Sequence, residues 1–588
     1  MTLELAGIFL LKAFVVAMFA MNVGVILTWV ERRMRGMIQD CPGPNRAGIP
    51  VPGWLAAGLA TGPAFLAAAG VAALAWTSRE EAEWSNWGMV FFQGAIFMLW
   101  VTTASVARVV ATRGPKNAFD TFVASLGTPR SIVGVGLLLH VFVLAVGMLA
   151  DSVDVRGLLY RAGAALLVFS ILAGAGYVGL SLSSEKTVRI RLAGLLHPAA
   201  DGLKTVFKGD FVPQNADKLM FNLAPIISFF PALVLLAVVP FGPALCFGQD
   251  AKGGIDLTAF QGVEAAGGVC NDARLSLQVA DLNIGILYFF AMAGTGIVGA
   301  ALAGWASDNK FSLLGGMRAA SQMVSYEVTL GLTVIGALMV YGTVRIDEMV
   351  AWQAENAWGI FVQPLAFFLF FAASVAESKR IPFDIPEGES EVVAGYFTEY
   401  SGMKFSMFFF SEFIAVVSGS TLMAALFFGG WHLPFVTAEG IRVAIGESVL
   451  FQTELSPVAI VVLSSLGFVL KVLTLCLLQV TIRWTLPRFR YDQLMRLGWR
   501  KLLPASLVNV MATAVVMLAI QSASEQALRG LSFAGQLSMG LIALLGIAAV
   551  VALGAFLLSP PKKQRLVVST SQRFAEAMGG TRTAKMEA

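Results

Sequence analysis

The stretch ESKRIPFDIPEGESEVVAGYFTEY, residues 377–400, sets six carboxylates and two cations between the apolar runs PLAFFLFFAASVA and MFFFSEFIAVV. Carboxylates packed this closely repel one another. When partly desolvated, some of them take up protons near neutral pH, which a proton relay requires. The competing reading is a solvated acidic connection. Pro382 and Pro386 disfavour a continuous helix, so an irregular or re-entrant segment is expected. If it is extended, Glu387, Glu389 and Glu391 point together; in a helix Glu387 and Glu391 pair and Glu389 turns away. Glu327, Glu412 and Lys471 lie inside apolar runs, where an ionisable group is costly unless it faces protein or water, and so mark candidate functional positions.

The elements that must hold these groups are apolar helices. The chain has 588 residues, 57% hydrophobic and 13% charged, with a mean hydropathy of +0.76, outside the range of ordinary soluble domains. Thirteen stretches are long enough to cross about 30 Å of hydrocarbon. They lie near 8–30, 55–76, 88–112, 131–150, 160–182, 222–241, 282–304, 322–342, 357–376, 407–428, 457–480, 504–521 and 537–558. Alternating strands of about ten residues are not evident, which excludes a barrel. The expected fold is therefore all-α, a polytopic transmembrane helical bundle of about 13 spans plus one amphipathic surface helix.

With the amino terminus outside, most of the 41 Lys and Arg fall on the inner face, in line with the positive-inside rule. The first segment runs into WVERRMRG without a small-residue cleavage site, so it reads as a retained helix. Basic residues are spread over many inner connections, which gives nucleic-acid binding no support. The tail 561–588 is cytoplasmic by the same count, and its basic SPPKKQR flank reads first as a stop-transfer flank, with contact to anionic lipid as the alternative.

Cys41, Cys246, Cys270 and Cys476 show no spacing suited to zinc or an iron–sulfur cluster, so no metal site and no redox centre are expected. Cys246 and Cys270 share an outer loop, where a disulfide can persist. In 195–210, Leu203, Val206 and Phe207 share one helical face while Asp201, Lys204 and Lys208 share another, and Asp201 and Lys204 can pair.

Four polar elements, 31–48, 195–210, 305–328 and 377–400, all fall on the inner face and imply one polar cavity there. At the level of motifs, the chain resembles the quinone-site membrane subunit of NADH:quinone oxidoreductase, the H subunit of bacterial respiratory complex I. The matching runs are ERRMRGMIQDCPGPNR, HPAADGLKTVFKGD, DLNIGILYFFAMAG, AGWASDNKFSLLGGMRAASQMVSYEV, AESKRIPFDIPEGESEVVAGYFTEYSGMKF and LPRFRYDQLMRLGW, over about 1–48 and 192–560.

The resemblance implies a passage for ubiquinone or menaquinone leading to the terminal iron–sulfur cluster of a peripheral-arm subunit. By that pattern Glu31, Arg32, Arg46, Asp201 and Lys204 line the quinone passage. Arg380, Asp384, Glu387, Glu389 and Glu391 form the acidic loop beside it. Glu327, Glu377, Glu399 and Glu412 begin a proton path toward antiporter-like membrane subunits, to which the intramembrane charge of Lys471 is added. FMN and iron–sulfur clusters belong to partner subunits, and the location implied is the bacterial inner membrane with a periplasmic amino terminus. The alternative within this relationship is the membrane subunit of an energy-converting hydrogenase or formate hydrogenlyase, which uses no quinone.

The chain departs from the family pattern at 49–191, where the family passes almost directly to the amphipathic helix. This segment carries four expected spans, an even number that returns the chain to the inner face. The organisation read from sequence is thus 1–48, a first helix and inner quinone-side loop; 49–191, an inserted four-helix membrane element; 192–560, the main bundle with its acidic loop at 377–406; and 561–588, a tail.

Overall fold

The computed structural model of the chain describes residues 3–39, most of 49–58, 187–190, 196–249, 255–264 and 273–522, the last with short gaps between 435 and 456, together with isolated positions elsewhere. The expected spans at 55–76, 88–112, 131–150, 160–182 and 537–558, Arg46, Cys41, Cys270, the tail 561–588 and the side chain of Glu389 lie outside the described residues.

In chain order the elements begin with α1 (Leu3–Ile38), β1 (Ile49–Pro52), β2 (Thr187–Ile190) and α2 (Leu196–Phe207). Next come α3 (Lys218–Val234), β3 (Ala244–Gln249), β4 (Ile255–Glu264), β5 (Ala273–Leu275), α4 (Gly285–Ala306) and α5 (Lys310–Tyr341). Then follow α6 (Ile346–Glu355), α7 (Gly359–Val362), α8 (Pro364–Glu377), the single turn α9 (Glu389–Val392) and α10 (Gly402–Phe427). The chain continues through β6 (Gly440–Ile445), β7 (Ser448–Glu454), α11 (Pro457–Thr485), α12 (Tyr491–Leu497) and, after a π-helical turn at Gly498–Leu502, α13 (Leu503–Gln521).

Among the described residues seven helices are long and apolar enough to cross a membrane. The expected span 357–376 is not one of them. It breaks at Gln363, where Pro364 lacks a backbone donor and begins a new helix of 14 residues, about 21 Å long and short of the hydrocarbon thickness. The chain is mostly helical, as expected, but among the described residues three antiparallel sheets also occupy connections between helices, with strand orders β1-β2, β4-β3-β5 and β6-β7. Strand β4, IDLTAFQGVE, alternates only over its first five residues before the adjacent Ala259 and Phe260 break the pattern. It pairs with β3 in a connection between α3 and α4, and so does not reopen the barrel.

The bundle closes through small residues. A Cβ at Gly299 of α4 would stand 2.7 Å from the Ser228 nitrogen of α3, and one at Gly304 would stand 2.6 Å from the Ser312 oxygen of α5. Glycine lets these helix backbones approach closely, the packing device of apolar bundles. Helix α5 is capped at both ends, by the Asn309 side chain accepting from the Phe311 N–H and by Gly342 at φ +69. Helix α10 is the central pillar, packed on α1, α3, α8 and α11, with most of its residues buried. By connectivity, the α1 C-terminus, α2, the α4–α5 turn, the 378–401 loop and the α11–α12 link share one end; the three-stranded sheet, the α5–α6 turn and the β6–β7 hairpin share the other.

Candidate functional site

The acidic end is assembled by the short connection between α8 and α10. Neither expected conformation of residues 387–391 is found. Gly388 separates Glu387 from the single turn of α9, so the acidic side chains part company. Glu391 pairs with Arg318 of α5 at 2.6 Å and is about half-exposed. Glu387 turns inward, within hydrogen-bonding contact of Glu412 on α10.

Around them a chain of opposite charges crosses four elements. Glu31 of α1 meets Arg483 of α11 at 2.6 Å and Arg380 at 3.3 Å. Arg380 in turn faces Glu412 at 3.9 Å and lies 3.8 Å above the Phe413 ring. Asp384 meets Arg488, in the α11–α12 link, at 2.9 Å. The same link is fastened to the loop by a stack of Phe383 on Phe489, 5.4 Å between centroids, and by the Phe489 N–H donating to the Pro382 oxygen at 3.1 Å. Gln322 of α5 holds the loop from below, donating to the Ala376 and Phe383 oxygens, each at 2.7 Å.

A small pocket opens beside this chain of charges, lined by Leu27, Glu31, Val375, Arg380, Phe413, Val416, Gln479, Val480 and Arg483. Its wall is apolar on α1, α8 and α10 and cationic where Arg380 and Arg483 meet. The lining pairs an apolar wall with a few charged groups, the chemistry that suits an apolar ring carrying polar atoms. Among the described residues no three His, Cys, Asp or Glu converge in a way that would hold a metal ion.

Burial sets the electrostatics of the loop. Asp384 is 6% exposed, and its carboxyl is pushed up to about 6, chiefly by burial and further by Glu412, against the pull of Arg488, Arg483 and Arg380. Glu387 is pushed well above the usual carboxylate range by the same burial, and Glu412 adds repulsion. Asp347, buried at the opposite end, shows the contrary balance. Burial pushes it up, but hydrogen bonds from Arg345 and Arg274 outweigh that push and hold it low.

Because the folded chain holds the Asp384 proton more tightly than the unfolded chain does, that part of its stability is complete at low pH and is lost as pH rises through about 6. We expect the thermal midpoint of the purified chain to fall between pH 4.5 and 7.5, and Asp384→Asn to flatten the slope. An equal slope in both would refute this.

The remaining sequence candidates divide clearly. Arg32 of α1 reaches Asp201 of α2 at 2.5 Å, so Asp201 serves the α1–α2 junction and Lys204 stands exposed. Glu399 accepts from Asn309 at 2.6 Å, tying the loop to the α4–α5 turn. Glu377, at the end of α8, is near enough to Glu327 for the two to repel. An oxygen of Glu327 lies 2.9 Å from where a Cβ on Gly294 would sit, so that glycine makes its room.

Lys471 is not brought to this cluster. Its ammonium donates to the Phe428, Gly430 and His432 oxygens, beyond the end of α10, about 24 Å along that helix from Glu412 at 1.5 Å per residue. Cys246, on β3, is disulfide-bonded.

Four members of the site escape a reading of the sequence. Arg483 and Arg488 lie in RWTLPRFR, which stands out only as a basic flank. Lys379 and Tyr396 lie in the loop itself, and the uncharged tyrosine gives no signal.

The family model described as NADH dehydrogenase matches residues 187–514, more than half of the chain. The first of the NADH-quinone oxidoreductase H subunits of Cytophaga hutchinsonii is 40% identical over 325 residues, 55% of this chain and 84% of the relative. The first H subunit of the same enzyme in Geobacter sulfurreducens is 42% identical over 324 residues, 55% and 82% of the two chains. The second H subunit of Koribacter versatilis is 38% identical over 362 residues, 60% and 94%. With a bundle, an acidic connection and a matched region that coincide, this chain belongs to the NADH dehydrogenase family.

Proposed function

We propose that this chain is the membrane subunit of a proton-translocating NADH:quinone oxidoreductase, forming a quinone passage with a peripheral-arm subunit and the start of a proton path. The observation that carries the reading is the cavity bounded by Glu31, Arg380 and Arg483, continuous through Arg380 with Glu412 and Glu387. In this reading an apolar quinone ring packs against the Leu27, Val375, Phe413 and Val416 side chains as the pocket widens to admit it, and its carbonyl oxygens take cationic donors from the two arginines. Reducing a quinone to a quinol consumes two electrons and two protons. The electrons come from the partner's terminal iron–sulfur cluster, reached from NADH through FMN and further clusters in other subunits.

The charge change at the cavity alters proton occupancy of Glu412 and Glu387, and the path continues through Glu327, Glu377 and Glu399 toward antiporter-like subunits. In this reading Arg32, Asp201 and the exposed Lys204 serve the mouth of the passage, and Arg46 joins them by the family pattern alone. Asp384, Glu389 and Glu391 belong to the moving acidic loop. The names of the relatives favour quinone chemistry over a hydrogenase membrane subunit.

Location in the bacterial inner membrane, with the amino terminus periplasmic, is supported by the disulfide of Cys246 at the end opposite the acidic loop, since disulfides persist on that side. Its partner in this reading is Cys270. The test is purification from native membranes: copurifying subunits with quinone-dependent NADH oxidation are expected. Glu391→Gln, which loses its charge opposite Arg318, should assemble yet lower quinone reduction severalfold. Purification of the chain alone, or wild-type turnover and proton yield in E391Q, would count against the assignment.

A further inference from the structure

The Tyr396 side chain is fully buried, and its hydroxyl lies between two buried groups of opposite charge. Lys379 Nζ donates to the hydroxyl oxygen at 3.1 Å, and the hydroxyl donates to Glu412 Oε1 at 3.0 Å. Lys379 and Glu412 are 5% and 3% exposed, so bulk water does not connect them. Elements on every side fix the phenol. Phe397 and Phe408 meet the ring edge to face at 4.8 and 5.4 Å. The backbone before it follows Gly395, at φ +63, and α5 comes close only because residue 315 is glycine: a Cβ there would stand 2.6 Å from the Tyr396 nitrogen. Glu412 also faces Arg380 and Glu387, so the hydroxyl is where a cation of the loop joins the carboxylates of the bundle.

We infer that Tyr396 is a hydroxyl bridge that shuttles one proton reversibly between Lys379 and the Glu412–Glu387 pair. In the forward direction an N–H bond of the Lys379 ammonium breaks as an O–H bond forms on Tyr396. The original Tyr396 O–H breaks as its proton joins Glu412 Oε1. The products are a neutral amine, an unchanged phenol and a neutral carboxylic acid, with no electron transferred. The transfer is concerted, because burial and the neighbouring carboxylates keep the phenol protonated far above its usual range, so a tyrosinate is not a stopping point. Running backward, the step restores the ion pair, so the bridge stores and returns one charge without an outside donor. This deepens the proton path proposed above and rests on that reading.

The experiment uses the intact purified complex in proteoliposomes. Tyr396→Phe keeps the ring and removes the bridge. It is expected to lower the proton yield per NADH at least twofold and to shrink the solvent deuterium effect on turnover. Lys379→Met, which leaves the phenol in place, is expected to do the same, with no further loss in the double variant. Lys379→Arg, which keeps a donor to the hydroxyl but does not release its proton, should leave the yield as low as Lys379→Met, and recovery to the wild-type yield in that variant overturns the transfer. Wild-type proton yield and isotope effect in either single variant overturns the proposal.

A readout independent of turnover is the carboxyl C=O stretch of Glu412 in difference infrared spectra. It should shift in Tyr396→Phe if the hydroxyl bond is made, and an unmoved band overturns the bridge. Failure of the complex to copurify at all would instead strike at the function proposed for the chain.

Discussion

Replacing Lys471 by Met is expected to keep most of the chain from reaching its folded, membrane-inserted form. An ammonium has three donors. All three are used here, on the oxygens of Phe428 at 2.7 Å, Gly430 at 2.9 Å and His432 at 2.6 Å, with the Trp358 ring 4.2 Å from the nitrogen. Charge-assisted hydrogen bonds of this kind are worth about 1.5–3 kcal/mol each, and the vacated carbonyls would be left without donors in a site closed to water. A loss of about 4 kcal/mol or more is comparable with the whole stability margin of an ordinary domain.

Arginine should not rescue the site, because a planar fork cannot aim at three converging oxygens. His432 registers the same environment: burial and the nearby Lys471 charge hold its imidazole down to about 3, so it stays neutral at physiological pH. The yield of folded chain and its thermal midpoint check this. A midpoint within about 2 °C of wild type in K471M would show that the three bonds contribute little, since 1 kcal/mol moves the midpoint of a domain of about 150–250 residues by about 2–4 °C.

The second large effect is expected from a single methyl group. Gly395→Ala would place a Cβ 1.8 Å from the Pro386 oxygen at a residue whose φ is +63. The obstacle is backbone, which cannot rotate aside. Left-handed geometry costs an alanine about 1–2 kcal/mol, and overpacking adds about 1–3 kcal/mol. The loop must therefore rearrange, carrying Tyr396 away from Glu412. Gly388→Ala is the natural comparison, since its Cβ would meet nothing nearer than 3.6 Å. Limited proteolysis within 378–401 should be much faster in G395A and unchanged in G388A. Equal cleavage of the two would show that the close approach to Pro386 is not a constraint.

What the sequence reveals follows from which interactions leave a one-dimensional trace. Long apolar runs declare themselves, and so do isolated charges within them, which is why Glu327 and Glu412 stand out. Proline flags an irregular loop. The partition of that loop is hidden, because Glu387 and Glu391 are separated by one turn of backbone that sends one inward and one to Arg318. Lys471 is recognisable as costly in lipid, but its partners are backbone oxygens, which every residue carries and none advertises. Tyr396 is invisible for a similar reason: its role depends on Lys379 and Glu412 meeting across two elements. The β4 strand escapes notice because membrane spans dominate the pattern, and a short alternation in a connection between helices carries little weight beside them. The break at Gln363 is legible in Pro364 but is overridden by the hydrophobicity on either side.

The two-stranded ribbon of β1 and β2 pairs Ile49 with Ile190 and Pro52 with Thr187. The chain's departure after 52 and its return at 187 are therefore held side by side, one strand spacing apart. Since each doubling of a tethered loop adds only about 0.6 kcal/mol of closure entropy, the length of chain between the two strands costs this closure little, and α2 begins from the same place whatever that length is.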